Sequence, residues 1–416
     1  MNTRHRNRTG PLLIAVAAAM LLLVSIAAIA LVLWLRPSGD DWRQTLRLGP
    51  VSVPVSVEKI VRLASGPRLS VLLDGRTVHT AMGTWKVSAN LQEVRLVCAP
   101  CLLGHPSVGP VPLRIDRISA TLSRTSKGYS GMLHLGSNGR QISIPWSGVV
   151  DSTGALIELR ATALPMADLI AVLGKDIPEI RSAAIYGQLS VRMQLRFPGP
   201  TVDARWKVQG FHVAGLGTER LLHASLPGQC AAPSRSPVSG WLPAAVIAAE
   251  DQKFQTHPGY DISQIEAALR SNGQEGALHG ASTLTQQLAR LIFTGGERTP
   301  QRKLRELLYA VEMEETLGKA RILQLYLALA PWGDQLCGAE NAAQRYLGKS
   351  ANAVTPAEAA WLASLLVNPD RQLQRTQAAG VDTVRITRIV RDMRPMSPRQ
   401  RQRALADQNL NLTPAR

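Results

Sequence analysis

The chain has 416 residues, of which 45% are hydrophobic and 19% charged, with a formal net charge of +17. This length exceeds what one core fills, so two or three domains are expected, and the composition excludes a largely disordered chain. The basic excess calls for an anionic partner, either nucleic acid, an anionic membrane surface or a phosphorylated substrate, and the N-terminus argues against nucleic acid.

Residues 11–35 form an apolar run interrupted only by Ser25. At 1.5 Å rise per residue, about 24 residues span a hydrocarbon core roughly 30 Å thick. Arg4, Arg6 and Arg8 precede the run, while Asp40 and Asp41 follow Arg36. The positive-inside rule places residues 1–10 in the cytoplasm and the remainder outside. The rival reading is a cleavable signal, against which stand the length of the run and the lack of a small-x-small site after it. The expected location is the inner membrane, single-pass, with the bulk of the chain periplasmic.

Residues 37–225 read as an antiparallel β domain. Short alternating runs (Val51–Val57, Leu69–Leu73, Leu91–Val97, Gln141–Pro145 and Leu189–Phe197) are punctuated by Gly, Pro, Asn and Asp. One helical patch, Met166–Leu173, precedes Asp176-Ile-Pro. The segment Ile185–Leu216 faintly resembles the β repeats of AsmA-type envelope proteins. In an exported chain the four cysteines permit two disulfides, most simply Cys98–Cys101 and Cys230–Cys337. A redox role for Cys98-Ala-Pro-Cys101 is disfavoured because the motif does not open a helix in a strand-helix-strand unit.

Residues 226–240 are rich in Pro, Ser, Gly and Ala and read as a linker. Helical periodicity begins after it. Pro243 suits the first turn of a helix ending at Glu250, and Thr283 with Gln286 makes a capping box. Leu304, Leu307, Leu308 and Val311 mark the apolar face of a third helix, interrupted at Gly318. Ala320–Leu329 forms a fourth, stopped by Pro331, and Thr355-Pro-Ala-Glu358 starts a fifth. The expected fold class is multidomain α+β: a transmembrane helix, a β-rich middle domain and a mainly α domain over 241–375. Residues 376–416 are expected to be a basic tail, the stretch from Asp370 carrying ten Arg against four Asp. It suits anionic headgroups or plain solvation equally.

Three constellations carry chemistry. In Glu250-Asp251-x-x-Phe254-x-x-His257-x-Gly259, a carboxylate ends an apolar helix, where desolvation raises its pKa toward that of a general base. In Gly280-Ala281-Ser282-Thr283-x-x-Gln286-Gln287, leading to Arg290, hydroxyls and free N–H groups at a helix start suit a phosphate or sugar. In Arg302-Lys303-x-x-Glu306, one helix face sets a carboxylate beside bases. Each, standing apart, also reads blandly as an acidic helix exit, a well-capped helix and a surface ion pair.

Together, and followed by Lys319-x-x-Ile322-Leu323-x-x-Tyr326-Leu327 and by Tyr346-x-Gly348-Lys349, these blocks resemble family 51 glycosyltransferases, the peptidoglycan transglycosylase domain of class A penicillin-binding proteins and monofunctional polymerases. The resemblance covers about a third of the chain. It implies a lysozyme-like helical fold that polymerises lipid II into β-1,4 glycan with inversion and release of undecaprenyl pyrophosphate. Glu250 matches the general base and Glu306 the second essential carboxylate. Asp251, Phe254, His257, Ser282, Thr283, Gln286, Gln287, Arg290, Arg302, Lys303 and Lys319 match substrate or pyrophosphate contacts. No cofactor is required, a divalent ion (magnesium or manganese) often assists in the family, and no dedicated metal ligands are seen. Implied partners are lipid II, lipid-linked glycan, the membrane and a transpeptidase or other cell-wall synthesis protein. No transpeptidase motifs fit after Pro369. The chain departs from the family at Ala267, Ala281, Leu291, Gln324, Ala328, Cys337 and Val367. Two rivals stand beside the polymerase: a degenerate envelope scaffold that binds lipid-linked glycan without turnover, and a lytic glycosidase.

Overall fold

The computed structural model describes residues 30, 33–38, 43–48, 51–66, 70–80, 82–103, 111–198, 201–223, 237–270, 282–297, 299–333, 335–394 and 396–406. Among these, no helix is long and apolar enough to cross a membrane. The expected anchor over 11–35 falls almost wholly outside the described residues, as do most of the linker and Gly280-Ala281.

The first half of the chain is β-rich. A hairpin, β1 (Arg43–Leu48) and β2 (Val51–Ser56), leads into helix α1 (Val57–Ala64). A nine-stranded antiparallel sheet follows. Its strands are β3 (Thr77–Thr80), β4 (Gly83–Ala89), β5 (Glu93–Cys98), β8 (Arg117–Thr125), β9 (Gly128–Ser137), β10 (Arg140–Val150), β11 (Ala155–Pro165), β12 (Ala184–Phe197) and β13 (Thr201–Ala214). Each strand pairs with its neighbour in the chain, except that β5 joins β8. The excursion between them is the short hairpin β6 (Cys101–Leu103) and β7 (Leu113–Ile115). The Cys98–Cys101 disulfide closes the corner where the chain leaves the sheet, as expected. Cys337 is also disulfide-bonded, and its expected partner Cys230 lies outside the described residues.

Of the expected strands, Leu69–Leu73 is a correction. Ser70–Leu73 is a 3-10 turn, tied down by the Ser70 hydroxyl donating to Asn90 O at 2.9 Å. Helix α2 (Met166–Leu173) lies where its periodicity placed it, burying Met166, Ile170 and Val172 against β9, β10 and β12.

The second half is helical: α3 (Leu242–Glu250), α4 (Ile262–Arg270), α5 (Leu284–Ala289), α6 (Pro300–Thr316), α7 (Gly318–Leu329), α8 (Ala339–Leu347), α9 (Pro356–Leu365), α10 (Pro369–Ala379), α11 (Thr383–Asp392) and α12 (Pro398–Ala406). Both expected capping boxes are formed, Thr283 with Gln286 and Thr355 with Glu358. Helix α9 is buried on every side, Ala357 through Leu365 all being covered, which makes it the axis of the domain.

One expectation changes. Residues 376–406 are not a solvated tail: Ile386, Ile389, Val390, Met393, Met396 and Ala404 join the helical core, and α11 packs on α3 and α9. The apolar face of α6 is turned to the other half: Leu308 and Val311 are buried in the core of the β sheet, with Leu304 and Leu307 packed against it. The halves therefore share a helix.

Candidate active site

Glu250 occupies the last position of α3, where the Ala-rich helix has carried it among apolar neighbours. Its Oε2 accepts from Gln287 Nε2 at 3.1 Å, and the Gln287 amide oxygen in turn accepts from the Tyr326 hydroxyl at 2.9 Å. Its Oε1 is buried and has no hydrogen-bond donor among the described residues. Burial pushes the carboxyl above its ordinary value, and Asp251 adds to the rise. The Gln287 amide, Arg385 and Arg290 pull the other way. A carboxylate with one oxygen fixed and the other left without a donor among the described residues has the form of a general base.

The rest of the first motif faces inward. Asp251 Oδ2 accepts from the backbone N–H of Leu284 at 2.9 Å and lies 2.7 Å from His257 Nε2. His257 Nδ1 accepts from the Gly259 N–H at 3.0 Å, so the proton belongs on Nε2, which donates to Asp251. Lys319 Nζ donates to His257 O at 2.6 Å and to Glu314 Oε1 at 2.7 Å, and sits 4.7 Å from the Phe254 ring centre. Thr285 donates to the same Glu314 oxygen at 2.5 Å, and Thr283 Oγ1 donates to Gly259 O at 2.7 Å. Gly259 has φ +90, and a Cβ there would meet Ala310 O at 2.8 Å. Only glycine lets the loop lie this close to α6.

The third motif lies at the start of α6. Glu306, 1% exposed, accepts from Arg302 on Oε1 and from Lys303 on Oε2, the latter at 2.8 Å. Lys303 also donates to Ser282 Oγ. Helix α5 is thus the common support. Gln287 holds Glu250, Thr283 and Leu284 hold the 251–259 loop, and Ser282 meets the base that pairs with Glu306. Ser282 and Gln287 stand within about two turns on one helix start.

The expected contact residues divide. Glu250, Gln287, Arg290, Ser282 and Lys303 remain partly or fully exposed, whereas Asp251, Phe254, His257, Thr283 and Gln286 are buried. In this structure the buried side chains fix the loop to α5 and α6. The partly exposed Lys319 holds Glu314 and the His257 carbonyl with its ammonium. Both Glu306 oxygens are engaged, which makes it the holder of Arg302 and Lys303. Gln324 is exposed and accepts from Arg321 at 2.9 Å, joining none of these clusters. The carboxylates do not form a cation site either, and no group of three potential ligands gathers among the described residues.

Sequence reasoning missed two residues as members of the site. Glu314 lies eight positions beyond Glu306 on the same helix as the third motif, a spacing that was visible. Arg385 comes from α11, assigned to the tail, and no local pattern marks it.

Residues 229–394 match the family model described as transglycosylase. The chain is 44% identical over 133 residues to a biosynthetic peptidoglycan transglycosylase of Nitrosomonas eutropha, covering 32% of this chain and 54% of that protein. The protein of the same description from Citrobacter koseri is 43% identical over 160 residues, 38% of this chain and 66% of that one. Its Escherichia coli counterpart is 45% identical over 139 residues, 33% and 57%. The chain spans between about half and two thirds of the length of these curated relatives.

Proposed function

Taking residues 229–394 as a transglycosylase domain, we propose that the protein is a peptidoglycan glycosyltransferase that extends glycan strands from lipid II. Glu250 Oε1 accepts the proton of the acceptor sugar's 4-hydroxyl as that oxygen attacks the anomeric carbon of the lipid-linked strand. The carbon–oxygen bond to the diphosphate breaks with inversion, and undecaprenyl pyrophosphate leaves. Arg290, Arg302 and Lys303 offset the charge that accumulates on the departing diphosphate, with Glu306 fixing the last two. No resident metal is needed for these steps. Residues 11–35 anchor the chain in the inner membrane, so that the site meets a lipid substrate at the outer leaflet.

The observation that carries this reading is the buried, donor-free Oε1 of Glu250 beside an oxygen fixed by Gln287. The test is extension of labelled lipid II by the full chain in detergent, beside Glu250→Gln. Wild type should produce glycan and the variant none; equal extension by both would remove Glu250 from the reaction.

A further inference from the structure

A cavity of about 620 Å³ lies in the β domain, between the tip of the β9–β10 hairpin, helix α2 and the 3-10 turn Pro178–Arg181. Its size falls in the range of about 300–1,000 Å³ typical of ligand sites. It is an open groove of mixed lining, with Ala171, Ile180 and Ala183 on its apolar side and the exposed Asn138, Arg140, Asp176 and Arg181 on its polar side. Arg140 is oriented by Asp168 at 3.1 Å, while Arg181 is paired with no carboxylate among the described residues. Asp176 is held at φ +75, a left-handed conformation that non-glycine residues adopt at a cost.

The turn that lines the cavity is also the turn that grips α6. Glu179, one residue from Ile180, accepts from Arg305 Nε at 2.8 Å and from the Tyr309 hydroxyl at 3.3 Å. Arg305 and Tyr309 lie on the helix that carries Arg302, Lys303 and Glu306.

We propose that this cavity binds a short peptide with a free carboxylate and small aliphatic side chains, and that binding is communicated to α6 through Glu179. Arg181 and Arg140 recognise the carboxylate, Asp176 accepts a peptide N–H, and the Ala and Ile walls take the methyl groups. Arg181, exposed and without a carboxylate partner among the described residues, is available to pair with an anion, and no aromatic ring among the described residues lines the groove to stack a planar ligand. Filling it fixes the 178–181 turn, and the Glu179 carboxylate passes that order to α6. The binding half stands apart from the proposed function; an effect on polymerisation rests on it.

The experiment uses the full chain with N-acetyl-Ala-Ala and its C-terminal carboxamide as probes, binding being read by calorimetry and α6 by amide hydrogen exchange. The acid should bind roughly tenfold more tightly than the carboxamide, and Arg181→Gln should erase that difference. Exchange along α6 should slow when the acid binds, and in Glu179→Gln binding should persist without this slowing. Equal binding of acid and amide, or no binding of either at millimolar concentration, overturns the site. Slowing that survives in Glu179→Gln overturns the route. A chain that binds and protects α6 yet never extends lipid II would refute the proposed enzyme and leave this inference standing.

Discussion

At Glu250 the chemistry and the stability of the chain pull in opposite directions. Burial raises its carboxyl, so the folded protein favours the protonated form. For a group raised on folding, the stability contribution is full below the ordinary glutamate pKa and is lost as pH rises through the higher folded value. Near neutral pH the ionised side chain therefore destabilises the fold. Glu250→Gln should abolish extension while raising the melting temperature near neutral pH, the gain fading toward about pH 4. A variant less stable than wild type at neutral pH would contradict the burial argument. Gly259 gives the reverse case, where a single methyl meets backbone. Gly259→Ala places Cβ 2.8 Å from Ala310 O at a positive φ. The expected cost is about 1–3 kcal/mol by thermal or denaturant unfolding, with lower activity as the Asp251–His257 loop lifts from α6.

Helices were legible in the sequence as far as their signals were local. The capping boxes at Thr283 and Thr355, the Pro start at Pro243 and the bounds of Met166–Leu173 all follow from short-range rules. What a helical face would touch was not legible. Leu304, Leu307, Leu308 and Val311 announce an amphipathic helix, but nothing in their spacing says whether a helix or a sheet will cover them. Helix α11 shows the same gap from the other side. Its arginines read as a solvated tail because charge outweighs the three apolar residues, Ile386, Ile389 and Val390, that seat it on α3. Seated there, it turns Arg385 toward Glu250, where the guanidinium holds the carboxyl down. Arg385→Gln should raise that carboxyl further and shift the acid limb of the pH–rate profile to higher pH. The exposed Arg391 serves as control, and Arg391→Gln should leave the profile in place. An unmoved acid limb in Arg385→Gln would detach α11 from the site.

Over the whole molecule, the sharing of α6 makes the β domain part of the helical domain's fold. One face of the helix presents Arg302, Lys303 and Glu306; the other puts Leu308 and Val311 into the sheet's core at 0% and 2% exposure. Polar ties flank them. Leu216 N–H donates to the buried Glu312 at 2.8 Å, Thr218 and Thr316 share a hydrogen bond, and Trp206 N–H donates to Glu266. Burying a Leu or Val side chain contributes about 1.5–3 kcal/mol, and removing the β domain would return this stripe to water and take away the Leu216 N–H that Glu312 accepts. A fragment beginning at residue 237 should consequently aggregate or extend lipid II at least about tenfold more slowly than the full chain. Co-expression with residues 37–225 should restore solubility and rate together. A monomeric fragment with the full rate would mean that the sheet merely leans on α6, and that the bases around Glu306 are positioned by the helical domain unaided.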